Sequence, residues 1–162
     1  MRERLRPILG LSIRLVAAAI WLTAGGAKAV DLEHFHAQVD QYRLLPGALE
    51  APFAYTLPFV ELLVGLYLLV GLLTRAAAIL ACALMVLFLI AQGQAWARGL
   101  SLDCGCFGTI AHERVGLWTI LRDIALGLPA LVMAIRPARL FSLDHWLLGL
   151  PDGFAPTTEH EA

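Results

Sequence analysis

Apolar residues dominate four long stretches of the chain, separated by segments in which polar and charged residues gather. A hydrocarbon core of about 30 Å takes roughly 20 helical residues to cross, and the stretches at 8–29, 53–73, 76–96 and 116–136 are each long enough. The pattern predicts an all-α fold, a four-helix transmembrane bundle, with residues 1–150 forming one membrane domain. Between the first two spans, "VDLEHFHAQVDQYRLLPGALE" is polar and amphipathic, and its Phe35, Val39, Tyr42 and Leu45 recur at the spacing of one helical face. This segment reads as a short interfacial helix ended by Pro46-Gly47. The second and third spans are joined by "LLTR", a tight helical hairpin. "FSLDHWLLGL" reads as an interfacial stretch anchored by Trp146, and 151–162 as a turn-rich, polar tail.

Composition strengthens the membrane reading. Hydrophobic residues make up 59% of the chain and charged residues 15%, and the mean hydropathy is +0.74, above what a soluble domain carries. A net charge of −1 without a basic block gives no footprint for nucleic acid. The chain lacks a phosphate-cradling glycine loop, an HExxH motif and paired CxxC zinc spacing, which excludes the usual soluble-enzyme signatures.

Arginine and lysine positions set the orientation. Arg2, Arg4, Arg6, Arg75, Arg136 and Arg139 flank one side, against Lys28, Arg43, Arg98 and Arg114 on the other. The bias predicts both termini in the cytoplasm and both longer loops outside, so that the cysteine loop faces the periplasm or cell exterior. The first span has a competing reading, because its N-terminal arginines, apolar core and "AKA" imitate a secretory signal cleaved after Ala29. Its length favours a span, with Arg14 shallow enough to snorkel to the interface.

The chemistry concentrates in "SLDCGCFG", residues 101–108. A Cys104–Cys106 disulfide closes a very small ring near the upper limit of permitted Cα separation, and Gly105 supplies the backbone freedom it needs. Strained, exposed disulfides are the easily reduced ones, and bridging near neighbours removes little chain entropy, so a purely structural clip is a poor use of the pair. Asp103 opposes thiolate formation at Cys104, whereas Arg98, His112 and Arg114 would favour it if folded inward. Three roles stay open: redox exchange, a structural clip, and Cu(I) binding, for which His112 is the nearby imidazole and no Met or third Cys is close in sequence. Cys82 lies about 20 Å along the third span from its outer end, beyond reach of the pair, and reads as a small buried hydrophobe. One dithiol alone does not relay electrons across a membrane, so turnover requires a partner thiol protein or a bound acceptor such as a quinone.

Charges inside the spans form a second candidate site. Glu61 and Arg122 both fall roughly 9–12 Å below the outer ends of their spans, which predicts an ion pair, with Lys28 as an alternative or third member. Asp123 is a further partner for Arg122. Ionisable residues within spans are functional candidates by default, and the structural alternative is an ion pair that fixes helix register. Pro58, one turn before Glu61, frees a backbone carbonyl and predicts a kink.

The succession "IRLVAAAIWLTAGGAKAVD", "FHAQVDQYRLLP", "LPFVELLVGLYLLVG", "LDCGCFG" and "LRDIAL" resembles the MauE branch of the DoxX-like membrane proteins over residues 13–134. "CGCFG" is the most specific element. The resemblance implies a role in methylamine utilisation, acting with a periplasmic thioredoxin-like protein so that the disulfide-containing small subunit of methylamine dehydrogenase matures. It also implies that Cys104 and Cys106 are the redox pair and that Lys28, Glu61 and Arg122 are polar positions inside the bundle. Asp123 departs from the asparagine expected after the arginine. A docking partner without catalytic chemistry, or a Cu(I)-handling protein, are the alternative functions.

Overall fold

Among the described residues, alternating apolar stretches and polar turns fold into six helices: α1 Arg2–Val30, α2 Leu32–Tyr42, α3 Gly47–Val70, α4 Thr74–Ala97, α5 Leu117–Ile135 and α6 Leu143–Leu148. The computed structural model describes residues 2–100, 102, 114–138 and 140–149. Four of the helices are long and apolar enough to cross a membrane, over Arg6–Val30, Gly47–Val70, Thr74–Ala97 and Leu117–Ile135. This is the all-α, four-span architecture that the hydropathy pattern predicts. Large apolar side chains such as Leu63, Ile79, Ile90 and Leu128 stand exposed on the spanning helices. In water such a surface would promote association, whereas in a bilayer it meets acyl chains.

Small residues let these helices approach closely. Lipid tails are as apolar as leucine, so helix association in a membrane depends on packing and polar contacts rather than on hydrophobic burial. α1 packs on α3 and α5, and α4 packs on α5. The shared core joins Ala17, Ala18 and Trp21 of α1 to Val64 and Leu68 of α3, Ala77, Ala78 and Ala81 of α4, and Ala130 and Met133 of α5. At Gly25 a Cβ atom would stand 2.9 Å from both the Pro58 carbonyl oxygen and the Leu62 nitrogen, so only glycine allows this contact between α1 and α3.

Several boundaries differ from the sequence reading. α2 ends at Tyr42, not at Pro46-Gly47, because Arg43 adopts a left-handed backbone (φ 50°) and its N–H turns back to the Asp40 carbonyl. α3 accordingly begins at Gly47, six residues before the expected 53, and stops at Val70, where Gly71 (φ 70°) ends it. At its start, α2 is capped by the Asp31 carboxylate, which accepts from the His34 N–H at 3.0 Å. The helix then folds back on α3: Phe35 is buried against Ala54 and Leu57, and the Tyr55 hydroxyl donates to Glu33 Oε1 at 2.8 Å.

Arg14 also departs from expectation. It does not snorkel outward but is 1% exposed, donating through its guanidinium nitrogens to the carbonyls of Ala138 at 3.0 Å and Phe141 at 3.1 Å. Nearby, the Asp144 carboxylate of α6 accepts from the N–H groups of Leu73 at 2.6 Å and Thr74 at 2.8 Å, and its own N–H donates to the Gly71 carbonyl. The C-terminal segment thus clasps α1 to the α3–α4 turn at one end of the bundle. Trp146 on α6 is 80% exposed.

Candidate functional site

At the opposite end of the bundle α4 ends and α5 begins, and the cysteine pair falls between them in sequence. Cys104, Cys106 and His112 lie outside the described residues, but the base of their loop is defined. The Val115 N–H donates to the Leu102 carbonyl at 2.8 Å, so the chain leaves and rejoins the bundle at one point. That point packs into a small cluster in which Ala95 and Val115 are buried beside Tyr42, Leu100 and Leu102. Arg98 ties the end of α4 to the end of α2 by donating to the Tyr42 carbonyl at 3.0 Å.

The intramembrane charges form two groups. Lys28 Nζ lies 2.7 Å from Glu61 Oε1 and 2.8 Å from Oε2, and neither side chain is more than 1% exposed. The ammonium also stands 4.8 Å from the Phe88 ring centroid and 5.6 Å from that of Phe35, within range of a cation–π attraction. Arg122 instead turns to its neighbour: its Nε is 2.9 Å from Asp123 Oδ1, and a second guanidinium nitrogen is also at 2.9 Å. The other Asp123 oxygen accepts from Gln92 Nε2 at 2.6 Å, which links α5 to α4.

The expected Glu61–Arg122 pair is therefore replaced by Glu61–Lys28 and Arg122–Asp123. Matching depth does not fix which side of a helix faces which neighbour, and the close α1–α3 approach at Gly25 brings Lys28 onto Glu61. Asp123 supplies the carboxylate that the sequence reading named as a further partner for Arg122. Gln92 was missed, although an amide within the otherwise apolar "FLIAQGQAW" was a visible signal. Both groups border a cavity of about 30 Å³ lined by Trp21, Lys28, Glu61, Met85, Phe88 and Asp123. This has room for about one water molecule. Lys28, Glu61, Arg122 and Asp123 are each met by an opposite charge at hydrogen-bond distance, as burial in a membrane demands. Pro58, buried in α3, interrupts no helix, and its carbonyl lies at the Gly25 contact.

Cys82 is a free thiol, half-buried against the core of the bundle rather than fully enclosed. It sits on α4, well away from the helix end that leads into the cysteine loop.

The family described as methylamine utilisation protein MauE matches residues 6–136. The chain belongs to that family. It is 35% identical to methylamine utilization protein MauE of Methylophilus methylotrophus over 140 residues, 85% of this chain and 74% of the relative. It is 31% identical to MauE of Paracoccus denitrificans over 131 residues, 80% and 70% of the two chains. MauE of Paracoccus versutus is 34% identical over 137 residues. No solved structure matches the chain. The matched span runs from α1 to the end of α5 and so includes the cysteine loop and both charge groups.

Proposed function

We propose that this chain is a membrane accessory protein of methylamine utilisation that performs thiol–disulfide exchange through Cys104 and Cys106 on the extracytoplasmic side. Its partner is a thioredoxin-like protein of the periplasm, and its client a disulfide-containing protein such as the small subunit of methylamine dehydrogenase. The observation that carries the reading is the Cys-Gly-Cys sequence in a loop whose two ends meet through the Leu102–Val115 hydrogen bond at the end of a membrane bundle. On this reading the pair acts on soluble thiol proteins outside the bilayer. The excess of arginine on the opposite side supports a periplasmic loop and cytoplasmic termini, where disulfides in the loop persist.

In the exchange, one cysteine thiolate attacks a sulfur of the partner's disulfide, and the other partner sulfur leaves as a thiolate. The second cysteine then attacks the mixed disulfide, which releases the reduced partner and leaves Cys104–Cys106 oxidised. The reverse sequence oxidises a partner dithiol. Closing the cycle requires a second thiol protein, or a quinone that takes up the two electrons and two protons of a dithiol. Replacing both cysteines by serine tests the reading: maturation of the client should fail while the membrane protein accumulates normally. Normal maturation with the double variant would instead favour a docking role without redox chemistry.

A further inference from the structure

We propose that the cavity between α2, α3 and α4 binds the ring of a lipid-soluble quinone, in either its oxidised or its reduced form. The inference deepens the thiol-exchange reading, on which the need for an electron acceptor rests, but the site itself stands on three features of the cavity.

The first feature is size and access. The cavity has a volume of about 300 Å³ and is separate from the small one beside Lys28 and Glu61, with which it shares the Phe88 wall. A substituted six-membered ring fits within this volume, which lies in the range of small-molecule sites. Leu44, Leu87 and Ile90 line it and are themselves exposed. Leu87 and Ile90 belong to a spanning helix, so the opening faces the hydrocarbon and the ligand arrives through the bilayer.

The second is its lining. Phe35, Tyr42, Phe53 and Phe88 contribute aromatic walls, against which a planar ring stacks or packs edge to face. An acyl chain would fill apolar space equally well, so the aromatic walls alone do not choose the occupant.

The third feature makes that choice. Gln38 also lines the cavity and is 6% exposed. Its Nε2 lies 3.1 Å from His34 Nε2, while its Oε1 has no hydrogen-bond partner among the described residues. A buried amide oxygen without a partner is costly, and an acyl chain offers it nothing. A quinol hydroxyl would donate to this oxygen once a side-chain rotation turns it from its enclosed position toward the ring. Amide orientation follows the neighbouring hydrogen bond: if His34 Nε2 carries its proton and donates, Gln38 turns over and presents its NH2 group, which suits a quinone carbonyl. One side chain thus serves both redox forms. Gln92, on the same cavity wall, lies five residues before the end of α4 at Ala97, about 8 Å along the helix axis. The cavity is therefore at the end of the bundle that bears the cysteine loop.

Binding is tested with the full-length chain in phosphatidylcholine nanodiscs, using decylubiquinone, decylubiquinol and, as a head-group control, decylbenzene. Both redox forms should bind at least tenfold more tightly than decylbenzene. Gln38→Leu should weaken both by tenfold or more, and Ala91→Trp, which fills the cavity from α4, should abolish binding. Thermal unfolding identifies a variant that has failed to fold, in which case the other variant and the decylbenzene comparison decide. Equal affinity for decylbenzene, or undiminished quinone binding in a folded variant, overturns the site. The single variants Cys104→Ser and Cys106→Ser, assayed for mixed-disulfide capture beside quinone binding, separate the two readings. Quinone binding by the parent chain, with no partner captured by either single variant, would remove thiol exchange but leave the site. Partner capture without quinone binding would remove the site alone.

Discussion

Lys28 on α1 and Glu61 on α3 form a fully buried ion pair, the ammonium 2.7 and 2.8 Å from the two carboxylate oxygens. The pair lies beside the Gly25 contact, so the charge interaction and the close helix packing depend on each other.

Breaking this pair on one side should be far worse than removing it. Glu61→Ala leaves a buried lysine without its counter-charge, a change that costs about 3–5 kcal/mol in comparable buried pairs. The double variant Lys28→Met/Glu61→Leu should recover most of that loss. Thermal unfolding in detergent checks the order; equal damage from the single and double variants would show that the pair contributes through packing alone.

Two adjacent glycines should respond differently to alanine. Gly25→Ala forces a methyl group against the α3 backbone at Pro58 and Leu62, and overpacking of this kind costs about 1–3 kcal/mol. At Gly26 a Cβ meets nothing within 4 Å, so Gly26→Ala should be neutral or stabilising by up to about 1 kcal/mol through helix propensity. The two unfolding temperatures measured side by side decide it.

At the other end of the bundle, Asp144→Ala should loosen the clasp on the α3–α4 turn. It removes the acceptor of two backbone N–H groups, each such bond to a charged group contributing about 1.5–3 kcal/mol. Protease cleavage near Gly71–Leu73 should accelerate markedly in the variant, and Asp144→Asn, which keeps one acceptor oxygen, should fall between it and the parent. An unchanged cleavage rate would assign the turn's stability to α3 and α4 themselves.

The orientation has its own test. A membrane-impermeant thiol reagent added to spheroplasts after mild reduction should label Cys104 or Cys106 and leave Cys82, which sits within a span, unmodified. Labelling that requires an opened inner membrane would invert the topology.

The spans were legible because length and hydropathy suffice to recognise a helix that crosses a membrane. The end of α2 was not, since Leu45 continues the apolar spacing past the residue at which Arg43 reverses the backbone. Periodicity follows side chains and is blind to a left-handed φ. The charged positions were legible one by one, with Lys28 and Asp123 named as alternative partners, but the choice of Lys28 over Arg122 for Glu61 was not. Sequence distance gives depth along a helix, whereas pairing depends on its rotation, set here by the Gly25 contact between α1 and α3. Arg14 shows the same limit over a longer range, because the carbonyls that hold it belong to Ala138 and Phe141, and no local pattern points to them.

The central claim, exchange through Cys104 and Cys106, is tested most directly by trapping the mixed disulfide. Cells carrying Cys104→Ser or Cys106→Ser are quenched with acid, alkylated and resolved without reductant. Cys106 has no adjacent carboxylate, unlike Cys104 beside Asp103, and on the proposed reading it is the attacking thiol. The Cys104→Ser protein, which lacks the resolving thiol, should accumulate a reductant-sensitive adduct with a periplasmic thiol protein, and the Cys106→Ser protein should form none. Absence of an adduct from both variants, together with normal maturation of the client in each, would contradict the account.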